Sequence, residues 1–220
     1  MSSAHTEVDP VTLRSPKWNN GFLLFGKRVV DIGISAFLLF LFSPVFLILA
    51  VLVKLTSDGP IFYRWNVVGE HGRPFTGFKF RSMYSNADQV KDGLRELNEM
   101  SGPVFKITND PRVTKTGRWM RRYSLDELPQ FYSVLKGDMS LVGPRPPLVS
   151  EYARFDEYQK QKLSVKPGIT CLWQVSGRNS VSDFDEWVKL DLEYIQNWSP
   201  TLDVWILLMT VREVFVGSGK

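Results

Sequence analysis

Cysteine and histidine are scarce in this 220-residue chain, which has one cysteine, Cys171, and two histidines, His5 and His71. A lone thiol forms no internal disulfide, and so few Cys and His side chains leave little material for a zinc site. A secreted disulfide scaffold and a Cys/His zinc protein are therefore excluded. At 44% hydrophobic and 23% charged residues, the chain also lacks the composition of disordered, collagen-like or low-complexity sequence. Acids are fewer than bases, 23 against 27, for a net charge of +4. That mild excess suits anionic partners without choosing among nucleic acid, lipid head groups and phosphorylated substrates. The length holds one ordinary domain.

The longest absence is of charge. Residues 32–53 are 22 consecutive uncharged positions, IGISAFLLFLFSPVFLILAVLV. As a helix they would extend roughly 33 Å, enough for a hydrocarbon core of about 30 Å. So long an apolar run is rarely needed to fill a small soluble domain. A signal peptide fits worse, since Lys54-Leu55-Thr56 offers no small-residue cleavage site. The chain is expected to be membrane-bound. Near the middle of the run stand Ser43 and Pro44; proline removes an amide donor and clashes with the preceding turn, so the helix should break there, with the Ser43 hydroxyl near a freed carbonyl. Lys27 and Arg28 flank one end and Lys54 the other, so charge does not assign the ends to opposite sides. A re-entrant hairpin and a kinked span both satisfy this pattern.

The chain divides into a polar arm over 1–26, the membrane segment over 27–54 and a surface domain over 55–220. The domain opens with strand patterns over 60–65 and 75–83 around a turn at 69–72, and alternation puts Lys79 and Arg81 on one face. Ala87, Val90, Leu94 and Leu97 recur at helical spacing. Lys115, Arg118 and Arg122 would share a helical stripe with Arg121 beside it, either as a solvated or lipid-facing surface or as a phosphate site. Two amphipathic helices are expected over 184–198 and 203–215, with Trp187, Trp198 and Trp205 either at a lipid interface or in the core.

The chemistry concentrates around Ser124-Leu125-Asp126-Glu127-Leu128-Pro129. One reading makes Asp126 the cap of a helix that ends near Gly137, its two carboxylates merely complementing the helix dipole. The neighbours favour another. Five cations precede the pair between Arg112 and Arg122, and Gly143-Pro144-Arg145-Pro146-Pro147 follows, with prolines fixing the backbone around an arginine suited to gripping phosphate.

Taken together, the basic-flanked apolar segment with a central Ser-Pro, then GFKFRSM, NDPRVT, SLDELPQF, LKGDMSLVGPRP, KPGIT and WQVSGRN, resemble the bacterial sugar transferase family, the monotopic polyprenyl-phosphate phosphoglycosyl transferases. The resemblance runs from about Lys27 to the C-terminus. It implies an α+β monotopic membrane protein with a re-entrant helix broken at Ser43-Pro44, a small β element and surrounding interfacial helices. It implies transfer of a sugar-1-phosphate from a UDP-sugar, UDP-glucose or UDP-galactose, to undecaprenyl phosphate with release of UMP, as the first membrane step in making capsule, exopolysaccharide or lipopolysaccharide. By the same resemblance Asp126 is the nucleophile that carries the phosphosugar, and Glu127 is a catalytic residue and the ligand of Mg2+. Lys79, Arg81, Arg121, Pro144, Arg145, Pro146 and Arg178 become the phosphate- and nucleotide-binding set. The expected place is the bacterial inner (cytoplasmic) membrane with the catalytic domain on the cytoplasmic face, among phospholipids. No nucleic-acid partner is expected, and homo-oligomerisation stays open.

Departures from the family pattern fall at Trp65 and Val67, where many members carry glutamine and arginine, and at Cys171, often glycine. The multi-helix N-terminal region of longer members is not in this sequence, so a minimal form or the catalytic part of a longer one is expected. The rival readings are a non-catalytic membrane-surface scaffold whose basic face binds anionic lipids and a membrane-tethered nucleic-acid binder that would use the same basic patch.

Overall fold

The computed structural model describes residues 16–177, 182–217 and 219. Helix α1 (Gly21–Leu41) starts where the Asn20 side chain accepts hydrogen bonds from the amides of Phe22 and Leu23, supplying acceptors to the unpaired first turn. It ends at the Ser-Pro break, and α2 (Ser43–Thr56) leaves at 61° to it. Pro44 has no amide for the Phe40 carbonyl, and the Ser43 hydroxyl donates to that carbonyl instead, at 2.8 Å. Among the described residues no single helix is long and apolar enough to cross a bilayer, whereas α1 and α2 together are, by length and composition.

Both helices present large apolar side chains outward, among them Phe22 and Phe40 on α1 and Leu47 and Leu55 on α2. The inward side of α1 packs Leu23, Leu24 and Ile34 on the core and also carries tightly bound polar side chains. Lys27 pairs with Asp203 at 2.6 Å and donates to the Val142 carbonyl at 3.0 Å. Arg28 donates to the carbonyls of Val134 and Leu135, at 2.6 and 2.7 Å. Asp31 accepts from the Ser140 hydroxyl and the Leu141 amide. The charges read from sequence as flanks of a membrane segment thus clamp α1 to the rest of the protein.

Strands β1 (Phe62–Val68) and β2 (Pro74–Phe80) form an antiparallel hairpin in which Phe62 faces Phe80 and Trp65 faces Gly77. The Trp65 indole lies where a side chain at Gly77 would be. The helical spacing over 87–97 yields turns and a 3-10 segment, Asp92–Leu97, in place of an α-helix; Gly93 sits within it, and a stretch this short needs tertiary packing to hold an α-helix. Helix α3 (Lys115–Arg122) follows a buried knot in which Asp110 and Arg112 pair at 2.6 Å. Burial raises the proton affinity of Asp110, but its bonds to Arg112 outweigh that and hold its carboxyl below the usual value.

Helix α4 (Gln130–Lys136) ends at Gly137, whose φ of 96° is left-handed. Strand β3 (Ser140–Val142) pairs in parallel with β4 (Gly168–Thr170). Between them are two one-turn helices, α5 (Val149–Tyr152) and α6 (Glu157–Lys160). The chain closes with α7 (Leu172–Val175), α8 (Phe184–Asn197) and α9 (Pro200–Val216). Trp187 and Trp198 are core residues, 4% and 0% exposed, while Trp205 is 44% exposed. Cys171 is also in the core, where burial pushes its thiol up to about 12. A second apolar cluster, Leu49, Val53, Phe80 and Met120, locks α2 against β2 and α3. The fold is α+β, with helix predominating over two small sheets.

Candidate active site

The acid pair lies on a tight turn and not at a helix N-cap, one of the two readings of the motif. Ser124 leaves α3 with φ 53° and ψ 24°, a left-handed conformation that costs free energy in a non-glycine residue. Its amide donates to the Arg121 carbonyl, and its carbonyl accepts from the Glu127 amide. The chain then forms a 3-10 turn over Leu125–Glu127 before Pro129 opens α4. Asp126 is therefore not the N-cap. It sits inside the tight turn, 7% exposed, with Glu127 beside it.

Three separate segments bring cations to this turn. From β2, Lys79 donates to Glu127 Oε1 at 2.7 Å and lies 4.3 Å from the centre of the Trp65 ring. Burial lowers its proton affinity below that of an ordinary lysine, and Arg145 lowers it further, while Glu127 and Asp126 act the other way. From α3, Arg121 donates from Nε to the Ser82 hydroxyl at 2.9 Å and feels the charges of Asp126, Asp110 and Glu127. Its stripe-mates Lys115, Arg118 and Arg122 point outward and are exposed. The third cation, Arg145, rides a bridge tied down at both ends: the Gly168 amide donates to the Pro144 carbonyl at 2.9 Å, and the Val68 amide to the Pro147 carbonyl at 3.0 Å.

Lys79, Arg121, Asp126, Glu127, Arg145 and Pro146 line one cleft of about 370 Å³. The cleft continues past Tyr63, Tyr84 and Phe105. Pro144 is buried and does not line it. Arg81 also borders the cleft, but its guanidinium donates to the carbonyls of Ser57 and Asp58 at 2.7 and 2.6 Å, closing the end of α2. Arg178 lies outside the described residues. Sequence reasoning did not single out Ser82 or the left-handed Ser124 as parts of the site. Trp65, which the sequence placed at the end of a strand pattern and as a departure from the family but not in the site, is the surface on which Lys79 rests.

No group of three or more His, Cys, Asp or Glu side chains that could hold a metal occurs among the described residues. Mg2+ seldom needs one: it commonly binds one or two carboxylates, keeps several waters and completes its shell with substrate phosphates. Adjacent carboxylates at a cleft wall match that donor set.

The family model described as bacterial sugar transferase matches residues 22–217. The chain is 49% identical over 196 residues to the galactosyl transferase CpsE of Streptococcus agalactiae, a match that covers 89% of this chain and 43% of that protein. It is 41% identical over 201 residues to the UDP-glucose:undecaprenyl-phosphate glucose-1-phosphate transferase of Escherichia coli, covering 88% of this chain and 41% of that one. The exopolysaccharide production protein ExoY of Rhizobium meliloti is 40% identical over 198 residues, covering 88% and 87%. The chain thus spans about two-fifths of the length of several curated relatives it matches and most of the length of others.

Proposed function

The chain belongs to the bacterial sugar transferase family, and from that premise we propose that it transfers a sugar-1-phosphate from UDP-glucose or UDP-galactose to undecaprenyl phosphate, releasing UMP. The observation that carries the proposal is a buried carboxylate, Asp126, in a cleft shared with Lys79, Arg121 and Arg145.

The chemistry follows from charge. A carboxylate approaching a diphosphate meets like charge, at a cost for each pair of unit charges 4 Å apart of about 1 kcal/mol in water and about 4 at an effective dielectric of 20. Fixed cations lining the same cleft offset that repulsion and stabilise charge gathering on the leaving UMP. In the first step an Asp126 oxygen bonds to the sugar-linked phosphorus while the bond from that phosphorus to UMP breaks, the electron pair leaving on the UMP oxygen. In the second step an oxygen of the lipid phosphate bonds to the same phosphorus and the bond to Asp126 breaks, restoring the carboxylate. Glu127 would hold Mg2+, which when bound neutralises diphosphate charge and favours the departure of UMP. The Trp65 ring helps to hold Lys79 in place, and the Ser82 hydroxyl helps to hold Arg121.

The bent α1 and α2 pair, apolar outward, supports insertion through one face of the bacterial cytoplasmic membrane, with the cleft on the cytoplasmic side. Arg81 ties the end of α2 to the cleft wall. In that arrangement the cleft lies near the interface, where a lipid phosphate and a soluble nucleotide sugar can meet. The test is UMP release by the protein in vesicles with undecaprenyl phosphate, Mg2+ and each UDP-sugar in turn. Release that requires both substrates or is stimulated by the lipid supports the proposal. Absence of UMP with every sugar, alongside intact binding to anionic vesicles, would favour the scaffold reading instead.

A further inference from the structure

Lys162 and Asp191 form an ion pair at 2.5 Å, their side chains 2% and 0% exposed. Neither lines the cleft of the acid pair, and the chemistry above makes no use of them. Burying two charges costs desolvation that their attraction often fails to repay, and an apolar pair of similar volume commonly serves stability as well. Stability by itself gives little reason for such a pair.

Its surroundings give one. Trp187, one turn before Asp191 on α8, has its ring centre 5.3 Å from the Lys162 ammonium and 5.6 Å from the Arg145 guanidinium. Stacking on Trp173 at 4.1 Å holds the indole still. Arg145, Lys162 and Trp187 also line one small gap behind the cleft. Two cations thus share one ring, and left to themselves they would repel each other, pushing the freer Arg145 away. The Asp191 carboxylate offsets that repulsion, since it pairs with Lys162 and its charge also acts on Arg145. Prolines 144 and 146 fix the main chain on either side of Arg145 but leave its side-chain torsions free.

We infer that the buried Lys162–Asp191 pair is a positioning device for Arg145, holding its guanidinium toward the cleft without touching substrate. The inference rests on the proposed transferase reading and deepens it.

A double-mutant cycle tests it. Asp191→Asn and the apolar double variant Lys162→Met/Asp191→Leu are each made with Arg145 intact and with Arg145→Ala, and UMP release and thermal melting are measured. With Arg145 present, each should lower kcat/KM for the UDP-sugar roughly 10- to 100-fold, by analogy with the loss of groups that orient metal ligands, with most of the loss in KM. In the Arg145→Ala background the further loss should shrink to about 2-fold or less, because residues acting through one another are not additive. The apolar double should melt near the unmodified protein yet stay impaired, and Lys162→Arg should retain most activity. Equal losses in both backgrounds would overturn the inference, as would recovery of activity together with stability in the apolar double. If neither variant folds, the pair serves the fold and the inference fails. Absence of UMP from the unmodified protein would instead overturn the transferase reading, and the inference with it.

Discussion

The Lys79 ammonium lies 2.7 Å from Glu127 Oε1, with both side chains less than one-fifth exposed. The contact joins a strand to the acid turn across 48 residues of sequence. It also means that the residue proposed to hold Mg2+ is a charge partner of a residue proposed to bind phosphate, and its carboxylate works against the loss of proton affinity that burial imposes on Lys79.

Asp126→Asn should abolish UMP release, with a loss of at least about 10³-fold, because a carboxamide is a poor nucleophile. Folding and vesicle binding should be unchanged. Intact-protein mass spectrometry of the unmodified enzyme, quenched with UDP-sugar and no lipid acceptor, should show the added phosphosugar, and the variant should not. Full turnover by the variant would eliminate the covalent route.

Lys79 must carry its proton to attract phosphate, and its pKa is lowered from 10.5 chiefly by burial. The ammonium is therefore lost earlier as pH rises than in a free lysine. The kcat/KM profile, which reports the free enzyme, should show an alkaline limb below pH 10.5. Lys79→Arg, permanently charged, should shift that limb upward even if its maximum rate is lower. An unchanged limb would assign it to another group.

Glu127→Gln should weaken the response to magnesium and lower the rate. A magnesium titration of UMP release should show the half-saturating concentration rising about tenfold or more, in the range for an altered metal environment. The same half-saturation in both proteins would exclude Glu127 as a ligand.

Arg81→Ala should differ from Lys79→Ala. It frees the carbonyls of Ser57 and Asp58 at the end of α2, and charged hydrogen bonds of this kind contribute about 1.5–3 kcal/mol each. A lowered melting temperature is expected for Arg81→Ala, and a loss of activity at little cost in stability for Lys79→Ala. Equal melting of the two would remove the structural assignment of Arg81.

Asp31→Ala should loosen α1, since the Ser140 hydroxyl and the Leu141 amide lose their acceptor at a buried site. Each unsatisfied group costs about 1–3 kcal/mol. Hydrogen exchange should rise at Leu141 and along α1 while the β1–β2 hairpin stays protected.

Features that depend on one or a few neighbouring residues were legible in the sequence. The break at Ser43-Pro44 follows from a missing amide, and the end of α4 at Gly137 from freedom at positive φ. The cationic helix over 115–122 follows from spacing, as do the two C-terminal helices. The motif leaves a helix cap open as one of two readings, because it does not reveal that Ser124 turns left-handed, a conformation set by what surrounds it. The helix sought over 87–97 failed for a related reason, as periodicity does not supply packing partners.

The sequence by itself determined the family, the apolar segment with its break, and which residue types could meet a phosphate. The tertiary structure decided their assignments. Strand alternation placed Lys79 and Arg81 on one face, yet one reaches Glu127 while the other is held by the carbonyls ending α2. Of the cations on α3, Arg121 turns toward the acids because Ser82 lies within reach of its Nε, while Lys115, Arg118 and Arg122 face outward. A charged side chain goes where its hydrogen bonds and counter-charges are, and in this protein those partners come from segments far apart in the chain.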